Sequence, residues 1–375
     1  MILSGTQRAV RDAVRDYAQA EIRPHSMAFE AAGAFPPGLF EQLAGLGLMG
    51  MTAPAAVGGA ETDYVSYALA LIELAAADGA LSTVVSIQNS LIVGGLLKDG
   101  SAAQQARFLP DLVAGRMIGA FALTEPDAGS DASAIRTRAH RVEGGYRLTG
   151  AKQFITSGRI AGITIVFAAT DPAAGKRGIS AFIVPTDSPG YTVDKVEHKL
   201  GQAASDTCAI RLDDVFVPDD LMLGQAGGGY GIALGNLEAG RIGIAAQCIG
   251  MADAALGIAI DYARDRKSFG KPILEHQAVG FRLADQAAKL EAARQLVLHA
   301  AALKDDGQPC LKEASMAKLV ASETAESVVS AALQTLGGYG YLEEYGVAKI
   351  YRDVRVCQIY EGTSDIQRMV IARAL

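Results

Sequence analysis

The feature that most constrains the fold of this sequence is a double change of periodicity along the chain. The region before Met117 has the spacing of helices, the region from Met117 to Pro218 contains short β-rich runs broken by turn residues, and helical spacing returns after the glycine cluster Gly224–Gly231. Short strands that follow one another closely predict a compact antiparallel sheet or a small barrel. We therefore predict an N-terminal helical domain (1–116), a middle β domain (117–222) and a C-terminal helical domain (223–375).

The clearest single helix is predicted from about Glu275 to Lys304. Leu283, Leu290 and Val297 recur at intervals of seven residues, and Gly307 follows as a stop signal. An apolar face of this kind is typical of a helix in a bundle.

One apolar stretch, from Gly79 to Leu97, contains no charged residue and is about as long as a membrane span. Its centre reads "SIQNS", in which four of the five residues are polar. A polar stripe in an apolar helix favours burial inside a large protein. We therefore predict a buried helix here and no membrane insertion.

Charge and cysteine content exclude several classes of function. The net charge is −7 and basic residues are not clustered, which argues against nucleic-acid binding. The cysteines (Cys208, Cys248, Cys310 and Cys357) are far apart in sequence, and no HExxH motif occurs, so neither a disulfide framework nor a metal site is indicated. With no signal peptide at the N-terminus, we expect a cytoplasmic protein.

Four short motifs are candidates for chemistry, and each also has an ordinary structural interpretation. "FALTEPDAGSD" (121–131) reads as a connector, "KQFITSG" (152–158) as a core strand, "RDRKSFGKP" (264–272) as a solvated charge run and "IYEGTSDIQ" (359–367) as a surface turn. The glycine clusters "GGGYG" and "GGYGY" do not complete GxGxxG, so a Rossmann site is disfavoured. Local chemistry alone leaves both interpretations of each motif open.

Taken in order, these motifs resemble those of the acyl-CoA dehydrogenase family over essentially the whole chain. The segments "KLGQAASDT", "LEAGRIGIA" and "LQTLGGYGYLEEYGVAKIYRD" belong to the same resemblance. It implies an N-terminal all-α domain, a middle antiparallel β domain and a C-terminal four-helix bundle. It also implies FAD-dependent α,β-dehydrogenation of an acyl-CoA thioester to the trans-2-enoyl-CoA, with electrons passed to electron-transfer flavoprotein.

The resemblance identifies Glu361 as the general base that removes the α-proton of the substrate. Its backbone N–H and a ribityl hydroxyl of FAD are implied as donors to the thioester carbonyl. A few family members place the base at the position that Gly240 fills here, and a glycine there selects Glu361. The other residues implied near the substrate are Ser130, Tyr360, Gly362 and Arg241.

The resemblance also implies an FAD site completed by a neighbouring subunit, hence at least a dimer and usually a homotetramer. Many family members carry tryptophan where Phe154 stands. The implied FAD contacts within one subunit are Leu123, Thr124, Ser130, Phe154, Thr156, Thr363 and Asp365. The neighbouring subunit would supply Arg266, Ser268, Phe269, Gln277, Gln334 and Gly338.

The acyl group is expected to be uncharged, because no lysine or arginine occurs from Gly79 to Leu97. Relatives that act on glutaryl-CoA use an arginine there. The "QNSL" and "LEAGR" segments resemble short-chain, butyryl-type members, although a medium or a branched short chain remains open. One alternative is an acyl-CoA oxidase that uses oxygen. Another is a non-catalytic helical scaffold, which the intact base and flavin segment argue against.

Overall fold

The computed structural model describes residues 1–375 and has the order helices, strands, helices. Ser4 and Ser101 begin the first and last N-terminal helices with capping boxes, in which each serine pairs with a glutamine three residues later. The N-terminal helices are α1 (Gly5–Tyr17), α2 (Ser26–Ala32), α3 (Leu39–Gly45), α4 (Tyr64–Ala77), α5 (Gly79–Ile87), α6 (Gly94–Asp99) and α7 (Ala102–Val113).

The apolar stretch forms the predicted buried helix. α5 continues through a π-helical turn, Gln88–Val93, into α6. Its polar stripe is internal, because Gln88 Nε2 donates to the carbonyl oxygen of Leu112 and Asn89 Nδ2 donates to that of Leu48. Two helical segments, Gly79–Asp99 and Gly229–Asp265, are long and apolar enough to cross a membrane, but most of each is buried inside the protein.

Helices α4 and α5 are separated by a single residue, Asp78. Asp78 has an extended conformation and its Oδ1 accepts from Leu81 N at 2.8 Å, so it is the N-cap of α5. The capping carboxylate ends one helix at Ala77 and begins the next at Gly79.

The middle region forms one eight-stranded sheet in the order β6-β7-β3-β2-β4-β5-β8, with β1 beside β4. Most pairs are antiparallel as predicted, but β1 and β2 each pair with β4 in parallel. The last strand extends to Leu223, one residue beyond the predicted boundary. The strands are β1 (Gly119–Ala122), β2 (Arg138–Val142), β3 (Gly145–Thr156), β4 (Ile163–Ala169), β5 (Ile179–Pro185), β6 (Tyr191–Val196), β7 (Thr207–Pro218) and β8 (Met222–Leu223).

The C-terminal region forms the predicted helical domain. Its long helices pack against one another, and α4 packs against the first of them, so the N-terminal and C-terminal helices share one apolar core. The heptad residues Leu283, Leu290 and Val297 are all buried. The helices are α8 (Gly229–Asp265), α9 (Gln277–Asp305), α10 (Leu311–Leu336), α11 (Val347–Val354) and α12 (Ser364–Arg373), with a hairpin of β9 (Lys267–Ser268) and β10 (Lys271–Pro272) before α9.

Candidate active site

Glu361 lies in a strained turn just before α12. Its φ is +52°, in the left-handed region that non-glycine residues rarely adopt, and Gly362 follows with φ +93°. A Cβ on Gly362 would lie 2.7 Å from Gln367 Nε2, so a side chain there would displace the amide that donates to this turn. Thr363 then begins α12 by accepting from Ile366 N. Backbone strain of this kind is concentrated at functional sites in proteins.

The carboxylate of Glu361 faces the protein interior. Both of its oxygens are buried and neither has a hydrogen-bond partner, although the residue as a whole is partly exposed. Burial raises the pKa of Glu361 to about 7, against the opposing effect of the positive charges of Lys318 and Arg241. A carboxylate whose pKa lies near neutrality is suited to act as a general base.

Helix α8 provides the space for this carboxylate. A Cβ on Gly240 would lie 2.1 Å from Glu361 Oε2, so any side chain at position 240 would displace the carboxylate. The next residue, Arg241, is buried, its Nε and Nη1 have no partner, and burial lowers its pKa. Unpartnered buried polar groups that face one another indicate a place for a ligand.

Tyr360 connects the base to all three regions of the chain. Its hydroxyl donates to Gln247 Oε1 at 2.7 Å, and Gln247 Nε2 donates to Thr83 Oγ1 at 2.5 Å. The hydroxyl of Thr83 in turn donates to Gln202 Oε1 at 2.7 Å. The structure brings Arg241, Tyr360 and Gly362 together around Glu361. Their role on the substrate side, which the resemblance implies, stays a prediction.

A cleft of about 210 Å³ lies beside Tyr360, and Thr156 at the end of β3 lines it as well. Two residues earlier, Phe154 lies at an irregularity between β3 and β7, with φ +59° and 64% of its surface exposed. An exposed aromatic face next to a hydroxyl offers both stacking and hydrogen bonding to a planar ligand. The Phe154 ring and the Thr156 hydroxyl therefore fit the planar, polar-edged ring of a flavin.

The segment after β1 is fixed beside Phe154 by a buried ion pair. Lys152 Nζ donates to Glu125 Oε1 at 2.8 Å and to the carbonyl oxygen of Leu123 at 3.2 Å. Gln153 N donates to the carbonyl oxygen of Thr124 at 2.9 Å. Burial lowers the pKa of Lys152 to about 8, opposed by the charge of Glu125. Leu123 and Thr124, just after β1, thus lie against the end of β3, which carries Phe154 and Thr156.

A separate group of predicted residues lies around the β9–β10 hairpin and the end of α10. Phe269 and Gly270 form the two-residue tip of the hairpin, with φ +49° and +84°, the signs that a type I′ turn requires. Phe269 is 95% exposed. Arg266 and Gly338 line one cavity, Gln277 and Gln334 are exposed, and no residue of the Glu361 group lines that cavity.

Two predicted residues stand apart from these groups, and two important ones were not predicted. Ser130 is exposed, and the side chain of Asp365 is 92% exposed. The unpredicted residues are Lys318, whose Nζ donates to the carbonyl oxygen of Gly362, and Gln367. Lys318 follows Ala314 by one helical turn on the buried face of α10, so helical periodicity could have indicated a buried cation.

Comparison with known proteins gives matches over nearly the whole chain. Models described as the N-terminal, middle and C-terminal domains of acyl-CoA dehydrogenase match residues 4–116, 120–215 and 227–375. The chain is 46% identical to an acyl-CoA dehydrogenase of Bacillus subtilis, over 100% of this chain and 99% of that protein. It is 42% identical to the caffeyl-CoA reductase–Etf complex subunit CarC of Acetobacterium woodii, over 100% and 99%. The solved structure of butyryl-CoA dehydrogenase from Megasphaera elsdenii superposes with a TM-score of 0.97 at 41% identity, covering 100% and 99%.

Proposed function

The chain belongs to the acyl-CoA dehydrogenase family, and from this premise we propose that it oxidises a short-chain acyl-CoA to the trans-2-enoyl-CoA with Glu361 as general base. The observation that carries the proposal is the buried carboxylate of Glu361, which has no hydrogen-bond partner and lies in a strained turn. A structural carboxylate in the interior normally has partners, since burying an unpaired charge is costly.

The chemistry of Glu361 follows from its surroundings. The α-proton of a thioester is weakly acidic, so the base needs a high proton affinity, which removal from water provides. With a pKa of about 7, a substantial fraction of the carboxylate is ionised at neutral pH and can accept the proton. The backbone N–H of Glu361 is our candidate donor to the thioester oxygen, where negative charge develops in the transition state.

Acyl-CoA dehydrogenases are FAD enzymes, and FAD, when bound, provides the hydride acceptor that no side chain can provide. We propose that Phe154 and Thr156 lie along the flavin and that Leu123 and Thr124 meet its edge. Ser130, Thr363 and Asp365 are the proposed contacts to the rest of the cofactor. The fixed position of the Leu123–Thr124 segment next to an exposed Phe154 supports this assignment.

The remaining FAD contacts come, in this proposal, from a second copy of the chain. Arg266, Ser268 and Phe269 of the hairpin, with Gln277, Gln334 and Gly338, form the contributing surface. The Phe269 ring is 95% exposed at the tip of a type I′ turn and has the His276 ring edge-on at 6.1 Å. Aromatic residues are enriched in protein interfaces, which supports its use in an assembly. We propose a homotetramer built from such pairs.

We propose that a short, uncharged acyl group lies next to the base, where the contacts of α8 support it. Gly243 of α8 faces Tyr67 and Ser86: a Cβ on it would lie 2.6 Å from the Tyr67 hydroxyl and 2.2 Å from Ser86 Oγ. The charge of Glu361 contributes to the raised pKa of Tyr67, whose first cause is burial, so the two residues are near one another. The Tyr67 hydroxyl, which is hydrogen-bonded to Ser86, would limit the length of an acyl pocket at this point. The name of the Megasphaera relative supports a butyryl-sized group.

The proposed electron acceptor is electron-transfer flavoprotein, because the relative CarC is a subunit of a complex that contains one. Oxygen is the alternative acceptor. The test is an anaerobic titration of the purified holoprotein with a series of acyl-CoA thioesters from butyryl to lauroyl. We expect flavin bleaching to be strongest with butyryl-CoA and reoxidation by electron-transfer flavoprotein.

Two results would contradict parts of this proposal. Stronger bleaching by the long thioesters would exclude the short-chain assignment. Rapid release of peroxide on admission of air, without added electron-transfer flavoprotein, would identify an oxidase.

A further inference from the structure

Lys318 of α10 is a fully buried lysine that forms no ion pair. Its Nζ donates to the carbonyl oxygen of Gly362 at 2.8 Å. Removing an ammonium group from water costs several kcal/mol unless nearby groups compensate. Accordingly, burial lowers the pKa of Lys318. A buried cation aimed at one backbone carbonyl, directly after the proposed base, calls for a functional explanation.

We propose that Lys318 is a positioning residue for the dehydrogenation: its ammonium fixes the Glu361–Gly362 turn and keeps a positive charge behind the base without touching the substrate. This inference rests on the proposed role of Glu361. It assigns to α10, which supplies no predicted residue next to the base, a direct influence on the proton transfer.

The turn is fixed from two sides. Gln367 Nε2 donates to the carbonyl oxygens of Glu361, at 3.2 Å, and of Gly362, at 2.9 Å. Lys318 provides the second donor to the oxygen of Gly362. The two side chains therefore share one target, the strained backbone of Glu361 and Gly362. They differ in that only Lys318 carries a charge.

That charge acts on the base together with two other ionisable groups. Glu361 is faced by Lys318 from α10, by Arg241 from α8 and by the neutral hydroxyl of Tyr67 from α4. Lys318 is itself faced by the buried thiols Cys248 and Cys357. Since the two cations oppose the effect of burial, loss of the Lys318 charge should move the pKa of Glu361 further upward.

The experiment compares Lys318→Gln, Lys318→Met and Gln367→Leu with the wild-type holoenzyme. Lys318→Gln keeps an N–H donor, Lys318→Met removes donor and charge, and Gln367→Leu removes donors from the same turn but no charge. Each protein is measured for FAD content, thermal unfolding and the pH profile of kcat/KM with butyryl-CoA.

We expect both Lys318 variants to move the acidic limb of the profile upward by about one pH unit, the low end of the effect of a nearby opposite charge. This corresponds to about a tenfold loss of kcat/KM at a pH well below the limb. Gln367→Leu should lower kcat at every pH and leave the limb in place.

An unmoved limb in Lys318→Gln and Lys318→Met would overturn the proposal, as would failure of both variants to fold while Gln367→Leu folds. Either result would leave Lys318 with a structural role only. The proposed function is tested separately by Glu361→Gln: if that variant stays active, the base assignment fails, whereas an inactive Glu361→Gln with unmoved Lys318 profiles removes only the present inference.

Discussion

Glu361 and Phe269 are both non-glycine residues in the left-handed region, at φ +52° and +49°, but their surroundings are opposite. Gly240 of α8 lies against the Glu361 carboxylate, and side chains of α10 and α12 hold the backbone of its turn. Phe269 stands at a hairpin tip with 95% of its surface exposed. Most of the surroundings of Glu361 thus come from its own chain, whereas Phe269 is almost fully exposed.

The contrast between Glu361 and Phe269 indicates that one chain forms the surroundings of the base by itself, whereas the hairpin is proposed to need a partner. A proton transfer needs a dry, fixed carboxylate, and a single core of packed helices can provide that. An extended cofactor needs a long surface of contacts, which two neighbouring chains can share. The comparison therefore predicts that changes near Glu361 affect turnover at constant cofactor content, and changes near Phe269 affect cofactor content and assembly.

The largest expected effect is that of Glu361→Gln. An amide of the same shape cannot accept the α-proton, so kcat should fall about 10²–10⁴-fold, the usual contribution of a general base. FAD content and oligomeric state should match the wild type, as measured by absorbance and light scattering. Turnover close to the wild-type rate would refute the assignment of the base.

The pH dependence of the stability of Glu361→Gln tests separately whether the pKa of Glu361 is raised in the folded protein. Because the pKa of Glu361 is raised from its ordinary 4.5 to about 7 by burial, the folded protein prefers the protonated form. Wild-type stability therefore falls as the pH rises from 4.5 to about 7, because the unfolded chain ionises first, and glutamine removes that effect. We expect Glu361→Gln to be more stable than the wild type at pH 8, by about 1–3 kcal/mol, and equally stable well below the ordinary pKa of 4.5.

The next largest effect should come from Gly240→Ala. The new Cβ would lie 2.1 Å from Glu361 Oε2, so the carboxylate must move by about an ångström, which can reduce kcat by about 10²-fold. The matched control is Gly257→Ala on the same helix, where a Cβ meets no atom within 4 Å. That control should keep full activity and gain a little helix stability. Equal kinetics for the two variants would disprove the close approach.

The smallest effect is expected for Phe269→Ala, which tests whether the exposed hairpin tip takes part in FAD binding and assembly. We expect about tenfold weaker FAD retention or a shift to smaller oligomers, because an interface aromatic contributes one to a few kcal/mol. The control is Phe216→Ala, a partly exposed aromatic on β7 with no predicted role in the site. A fully loaded Phe269→Ala protein of wild-type size would mean that the hairpin tip has no part in assembly.

Several elements were predictable from the sequence because local spacing decides them. The heptad of Leu283, Leu290 and Val297 predicted α9 to within two residues of its ends, Gln277 and Asp305. The polar centre of the Gly79–Leu97 stretch predicted a buried helix. The parallel pairing of β1 with β4 was not predictable, since it joins segments about forty residues apart and leaves no local pattern.

For the active site, the order of the three regions and the identity of the candidate base could be read from the amino-acid sequence, because motif order and residue type are linear properties of the chain. Only the folded chain shows that both oxygens of Glu361 are buried, that Gly240 makes room for them, and that Lys318 holds the adjoining backbone. A pKa depends on the surrounding charges and on the distance to water. These are set by helices far apart in the sequence, and no local pattern of residues contains them.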